Sequence, residues 1–155
     1  MTCPFCLPEI NDIAFAEGRG FRAFSTNAPI LPGHTLIAPM RHVERTRDLS
    51  SFEMSGMALF AQIVEQVLSR SFKTESFNWT IQQGAAAGQT VPHLHLHLIP
   101  RILGDLPSPG DWYPRIKFAG EEVDSEKRST ISLDEMHRMA KHLRSVSREF
   151  GVWSE

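Results

Sequence analysis

The sequence predicts an α+β fold, an antiparallel sheet of about five strands covered by two main helices. Three observations predict it. Short apolar segments suited to strands lie at 13–16, 21–24, 34–39, 77–81 and within 89–100. Two longer segments each open on a capping box and carry an apolar stripe at helical spacing. No strand–helix–strand unit repeats along the chain, as a parallel sheet would require. At 155 residues the chain suits a single domain able to bury a real core.

In chain order, Ile13-Ala-Phe-Ala and Phe21-Arg-Ala-Phe flank Glu17-Gly18-Arg19-Gly20, a hairpin closed by a glycine turn. The loop Asn27 to Gly33, punctuated by Pro29 and Pro32, delivers a short strand at 34–39 with Leu36 on the face of His34. Glu44 to Asp48 is charged and expected to be exposed. Ser50 with Glu53 three residues on is a capping box. Met57, Phe60, Ile63, Val64, Val67 and Leu68 then form the core stripe of a helix reaching about residue 70. Phe77 to Ile81 reads as a strand that leads into the glycine-containing loop 84–88. Residues 104–129, with Pro107, Pro109 and Pro114, hold no period and read as a long surface loop. Ser132 and Glu135 form a second capping box, ahead of Met136, Met139, Ala140, Leu143 and Val146. The whole, 1–155, is therefore expected as one domain: a core over 1–103, the loop 104–129, and a C-terminal helix over 130–150.

A net charge of −2 provides no basic surface for nucleic acid or an anionic membrane. No apolar run reaches membrane-spanning length, and no signal-peptide pattern is visible, so a cytoplasmic protein is expected. The only cysteines form Cys3-Pro4-Phe5-Cys6. In such a chain this spacing favours metal ligation or redox chemistry over a structural disulfide. A redox pair of the thioredoxin type would follow a strand, and this one precedes every expected strand. Metal ligation is the better reading, although the pair makes only half of a tetrahedral site.

The chain is organised around 89–100, Gln-Thr-Val-Pro-His-Leu-His-Leu-His-Leu-Ile-Pro. His93, His95 and His97 alternate with Leu94, Leu96 and Leu98. On a strand this puts the imidazoles on one face, roughly 6.6 Å apart, and the leucines on the other. Three polar rings on one face each need a partner, which argues for function over packing. Spacing alone leaves two chemistries open: a metal triad, or a nucleophile with supporting imidazoles.

Gly88-Gln-Thr-Val-Pro-His-Leu-His-Leu-His-Leu-Ile-Pro-Arg101 closely resembles the signature of the histidine triad (HIT) superfamily, in which three histidines alternate with hydrophobic residues. The resemblance extends upstream through Asn27, Pro32-Gly-His34-Thr-Leu-Ile-Ala-Pro39, Arg41-His-Val-Glu-Arg45 and Asp48-Leu49, over roughly residues 1–101. The branch it looks most like is the fragile-histidine-triad type, which cleaves dinucleoside polyphosphates. The resemblance implies that His95 is the nucleophile, forming a covalent nucleotidyl-histidine at the α-phosphorus that water then hydrolyses. It assigns His97 to the phosphate and the leaving group, and Gln89 to the phosphate oxygens. Asn27 is implied at the ribose, His34 lining the site, and Gln82 and Thr90 near the substrate. Some members hold zinc through an N-terminal CxxC, a later histidine and the first histidine of the triad. This chain has Cys3, Cys6, His42 and His93 for a closed structural Zn2+ site. His137 and His142 are expected on the surface. Members are usually homodimers, and the helix at 51–70 could contribute to that contact. Two alternatives stand beside the hydrolase: a nucleoside phosphoramidase, and a zinc-stabilised nucleotide-binding module with little turnover.

Overall fold

Arg19 and Gly20, at φ 56° and 83°, close the first hairpin with a two-residue turn whose twist matches its strands. This computed structural model describes residues 3–108 and 130–153. The hairpin joins β1 (Ala14–Gly18) to β2 (Phe21–Ser25). Then come β3 (Thr35–Pro39), β4 (Ser76–Ile81) and β5 (Leu96–Arg101). They form one sheet in the order β1-β2-β3-β5-β4, with every pairing antiparallel. The expected class, a five-stranded antiparallel sheet with two long helices, is the one observed.

Register decides which face each residue serves. Ala23, Ile37, Leu96 and Ile81 are successive cross-strand partners, as are Phe24, Leu36, His97 and Thr80. The first row packs beneath α2 (Ser51–Phe72), whose Met57, Phe60, Val64, Val67 and Leu68 bury against Phe15, Phe21, Leu94, Leu96 and Leu98. Each fully buried leucine here contributes roughly 1.5–3 kcal/mol. The second row turns the other way, towards Phe24, Leu36, Ala38 and Ile10, with Phe5, Ile13 and Trp153 around them.

Both long helices begin where their capping boxes stand. Ser50 accepts from the Glu53 N–H while Glu53 accepts from the Ser50 N–H, and Ser132 with Glu135 does the same at α3 (Leu133–Glu149). α1 is one turn, Ile10–Ile13. Arg144 of α3 donates to the carbonyls of Asn11, Asp12 and Ala14 and lies 4.5 Å over the Trp153 ring, tying that turn to the last helix. The expected loop 104–129 falls for the most part outside the described residues. Where it begins, Arg101 makes a bidentate pair with Asp105.

One expectation about the central strand changes. Sheet pairing begins at Leu96, so His93 and His95 precede β5 rather than stand inside it. The alternation survives because that segment is itself pinned, by the Leu94 N–H to the Val43 carbonyl at 2.5 Å. His34 likewise precedes β3.

Candidate active site and metal centre

His95 is 1% exposed, so its ring must find partners inside the protein. Its Nδ1 lies 2.7 Å from the carbonyl oxygen of His93. A carbonyl only accepts, so Nδ1 carries the proton and Nε2 keeps the lone pair. That is the form a nucleophile needs. The ring sits 4.8 Å from His97 and 5.3 Å from Phe5, edge-on to both.

The next histidine is set by the opposite kind of backbone group. The Ile30 N–H donates to His34 Nδ1 at 3.1 Å. An amide N–H only donates, so neutral His34 has its proton on Nε2, which meets His97 Nδ1 at 2.9 Å. His97 accepts there and so carries its own proton on Nε2, ready to donate. His34, expected to line the site, bonds through both ring nitrogens to Ile30 and His97 and is 2% exposed. The turn that delivers it requires Gly33. Its φ is +83°, and a Cβ there would lie 2.8 Å from the Phe72 ring and 2.9 Å from Pro100.

On the other side of His95, His93 Nε2 donates to the Pro39 carbonyl at 2.9 Å. Its Nδ1 lone pair therefore faces Cys3 Sγ at 3.3 Å and Cys6 Sγ at 3.5 Å. His42 Nδ1 is 3.5 Å from Cys6 Sγ. The four ligand atoms all lie within 4.8 Å of one another. A zinc tetrahedron with bonds of about 2.0–2.3 Å has edges of about 3.3–3.8 Å, so this set could hold such an ion. Burial pushes the pKa of His93 down, with the positive forms of His42 and His95 adding to it, which keeps the ring neutral and its lone pair available. Desolvation, reinforced by Cys3, pushes the Cys6 thiol up, and a cation is what would reverse that.

His42 is placed by its neighbour. Arg41 grips Glu53 with two bonds, at 2.7 and 3.0 Å, and donates to the Asp48 carbonyl, fastening this segment to the start of α2. Phe5 stands between the two cysteines in a single 3₁₀ turn, Pro4–Cys6. Its ring contacts Phe24 at 5.1 Å and His93 at 5.6 Å.

The loop between β4 and the histidines is braced by glutamines. Gln89 accepts from the Gly84 N–H at 2.7 Å and donates to the carbonyls of His93 and Glu44. Gln82 donates to Thr80, and its Oε1 is buried with no partner among the described residues. Gln83, which the sequence reading passed over, accepts from both the N–H and the hydroxyl of Thr46. Asn27 and Thr90 lie on the wall of a cavity of about 540 Å³ that adjoins the histidines through Phe5 and Leu36. His137 and His142 are exposed on α3, as expected. Phe5 and Ile30 were also missed. Phe5 was visible between the cysteines, whereas Ile30 acts through its amide and leaves no residue-type signal.

A HIT domain family model matches residues 8–102. The chain belongs to the HIT domain family. This HIT domain is 36% identical over 121 residues to a bis(5'-adenosyl)-triphosphatase of Dictyostelium discoideum, covering 78% of this chain and 76% of that protein. It is 45% identical over 83 residues to the asymmetrical bis(5'-nucleosyl)-tetraphosphatase of Schizosaccharomyces pombe. That match covers 54% of this chain and 46% of the relative, so it reaches about half the relative's length. The crystal structure of a Zn-bound histidine triad family protein from Mycobacterium smegmatis is similar with a TM-score of 0.69 at 26% identity, covering 97% of this chain and 96% of that one. Among the described residues of this HIT domain, no helix is long and apolar enough to cross a membrane.

Proposed function

We propose that this HIT domain hydrolyses dinucleoside polyphosphates at the α-phosphorus through a nucleotidyl-His95 intermediate. The observation that carries the reading is the bond from His95 Nδ1–H to the His93 carbonyl, which leaves Nε2 as a lone pair in a buried row of imidazoles. The relatives named as a bis(5'-adenosyl)-triphosphatase and a bis(5'-nucleosyl)-tetraphosphatase support the substrate class.

In the first step Nε2 of His95 attacks the α-phosphorus, a P–N bond forms, and the P–O bond to the remaining nucleotide breaks. His97 Nε2–H would donate to the phosphate or the departing oxygen, and the His34 bond to its Nδ1 supports that proton position. In the second step water attacks the same phosphorus, the P–N bond breaks, and the mononucleotide leaves with His95 restored. Gln89 acts by holding the loop against the His93 carbonyl, which supports the nucleophile's own acceptor. The cavity takes a nucleoside, with Asn27 at the ribose and Thr90 at the phosphate end. A slow substrate quenched by denaturant at alkaline pH, where the P–N bond survives, should leave one nucleotide on His95, located by peptide mass. Normal turnover by His95→Asn would sink the proposal.

Cys3, Cys6, His42 and His93 would hold Zn2+. When bound, the ion supplies a closed structural crosslink with no open coordination position. The donor set and the Zn-bound family neighbour support this reading. Thiols kept free at such a site fit a reducing, cytoplasmic compartment. Metal analysis should return one zinc per chain.

A second copy of this chain is the proposed partner. Among the described residues β4 pairs with β5 alone, and Trp79 on β4 is exposed. Light scattering should give a dimer, and Trp79→Arg a monomer.

A further inference from the structure

The cavity of about 540 Å³ has an apolar body, built from Phe5, Ile10, Ile13, Phe24, Leu36 and Met136. Several hydroxyls and the Asn27 amide also reach it. Among the described residues lining it, Glu9 alone is charged. Glu9 occupies the position before α1 where a side chain would cap the helix, yet it makes no capping bond. No ion pair or side-chain hydrogen bond engages it among the described residues. Its backbone, by contrast, is fixed. Its carbonyl accepts from the Asp12 N–H, and the next residue, Ile10, is 6% exposed in the apolar cluster. Arg144 anchors the turn that follows. The Glu9 backbone is thus fixed on the wall, with its exposed carboxylate uncommitted among the described residues.

We propose that Glu9 is a specificity-determining residue that selects a base bearing an exocyclic amino group, as adenine does. The inference rests on the nucleoside reading of this cavity. Phe5 stands against His95, and the chain runs from there to Glu9 along the same wall, so a base directed away from the nucleophile lies towards Glu9. An ionised carboxylate only accepts hydrogen bonds. The 6-amino group of adenine offers it a donor. Hypoxanthine puts a carbonyl oxygen at that ring position, so the bond is lost and two acceptors face each other. The apolar walls hold either ring, and among the described residues of the lining Glu9 is the charged group that can tell them apart.

The test compares AMP with IMP, which keep the same ribose, phosphate and ring size. Calorimetric affinities are measured on His95→Asn, with and without Glu9→Gln. The parent should bind AMP at least about fivefold more tightly than IMP, a modest ratio suited to a solvent-accessible charged acceptor. Glu9→Gln, whose amide can donate as well as accept, should bring the two within about twofold, mainly by improving IMP. Glu9→Ala should lose the preference by weakening AMP instead. An AMP to IMP ratio unchanged by Glu9→Gln, or no preference in the parent, would overturn the assignment. Absence of any His95 adduct in the wild-type protein would overturn the hydrolase reading instead, and the AMP to IMP ratio would still decide Glu9.

Discussion

The two flanks of His95 are built from the same side chain and do opposite things. Upstream, His93 donates its Nε2 proton to a carbonyl, from Pro39, and turns a lone pair towards two thiols. Downstream, an amide from Ile30 reaches His34, whose proton then meets His97 Nδ1, so that His97 carries its own proton on the buried Nε2. One backbone acceptor leaves a lone pair facing the thiols, and one backbone donor, relayed through a second ring, leaves a proton on the last imidazole. The role of each imidazole follows from the polarity of the main-chain group behind it, not from its place in the alternation. His95 lies between them with a carbonyl behind it and the site in front.

Removing the centre should have the largest effect. His95→Asn should lower kcat by at least about 10³-fold while leaving metal content and nucleotide affinity in place. If a divided row is the right description, the flanks then separate by readout. His97→Phe should cost about 10²-fold in kcat on a dinucleoside polyphosphate. It should cost much less on a nucleotide ester with a good leaving group, which needs no proton. His34→Phe should show the same leaving-group pattern at about tenfold, because it acts through His97. Nitrogen chemical shifts of His97 should report a changed tautomer, which loss of packing alone would not produce.

On the upstream flank the readout is stability. Cys3→Ser, or a strong chelator, should remove the metal and lower the thermal midpoint by at least about 5 °C. The kcat of the protein that remains folded should change by less than about tenfold. A chelated protein that stays equally stable but loses all turnover would merge the two flanks into one catalytic centre.

The sheet and the two long helices were legible because each carried its own signal, whereas the short turn α1 was not, and Ile13 read as strand. Ser50 with Glu53 and Ser132 with Glu135 marked helix starts that the structure reproduces bond for bond. Leu94, Leu96 and Leu98 marked the buried face of the central strand. The site was legible as a set of residues, since His93, His95, His97 and the cysteine pair stand in recognisable spacings. Their division into roles was not, because it depends on the carbonyls of Pro39 and His93 and the amide of Ile30, and every residue type has those groups. Gln89 shows the same limit. The residue was conspicuous, but its bonds to Gly84, Glu44 and His93 depend on how three separate segments meet.

The smallest expected effect sharpens the contrast further. The downstream flank is anchored in the interior, by Gly33 packed against Phe72 and Pro100. The upstream flank is fastened at the surface, where the Arg41 guanidinium holds the Glu53 carboxyl down to about 2. Bonds from Ser50 assist it. A carboxyl depressed in this way supports the folded segment above the ordinary carboxylate range and loses that contribution as pH falls from about 4.5 towards about 2. In the metal-free protein, Glu53→Gln should therefore lower the thermal midpoint slightly at neutral pH, and the difference should narrow steadily as pH falls below about 4.5. High salt should shrink it as well, because an exposed ion pair is screened. Gly33→Ala should destabilise by about 1–3 kcal/mol at any pH or salt, since a positive φ and a buried collision do not titrate. If the two variants responded alike to salt, the surface pair would not be what fastens the metal flank.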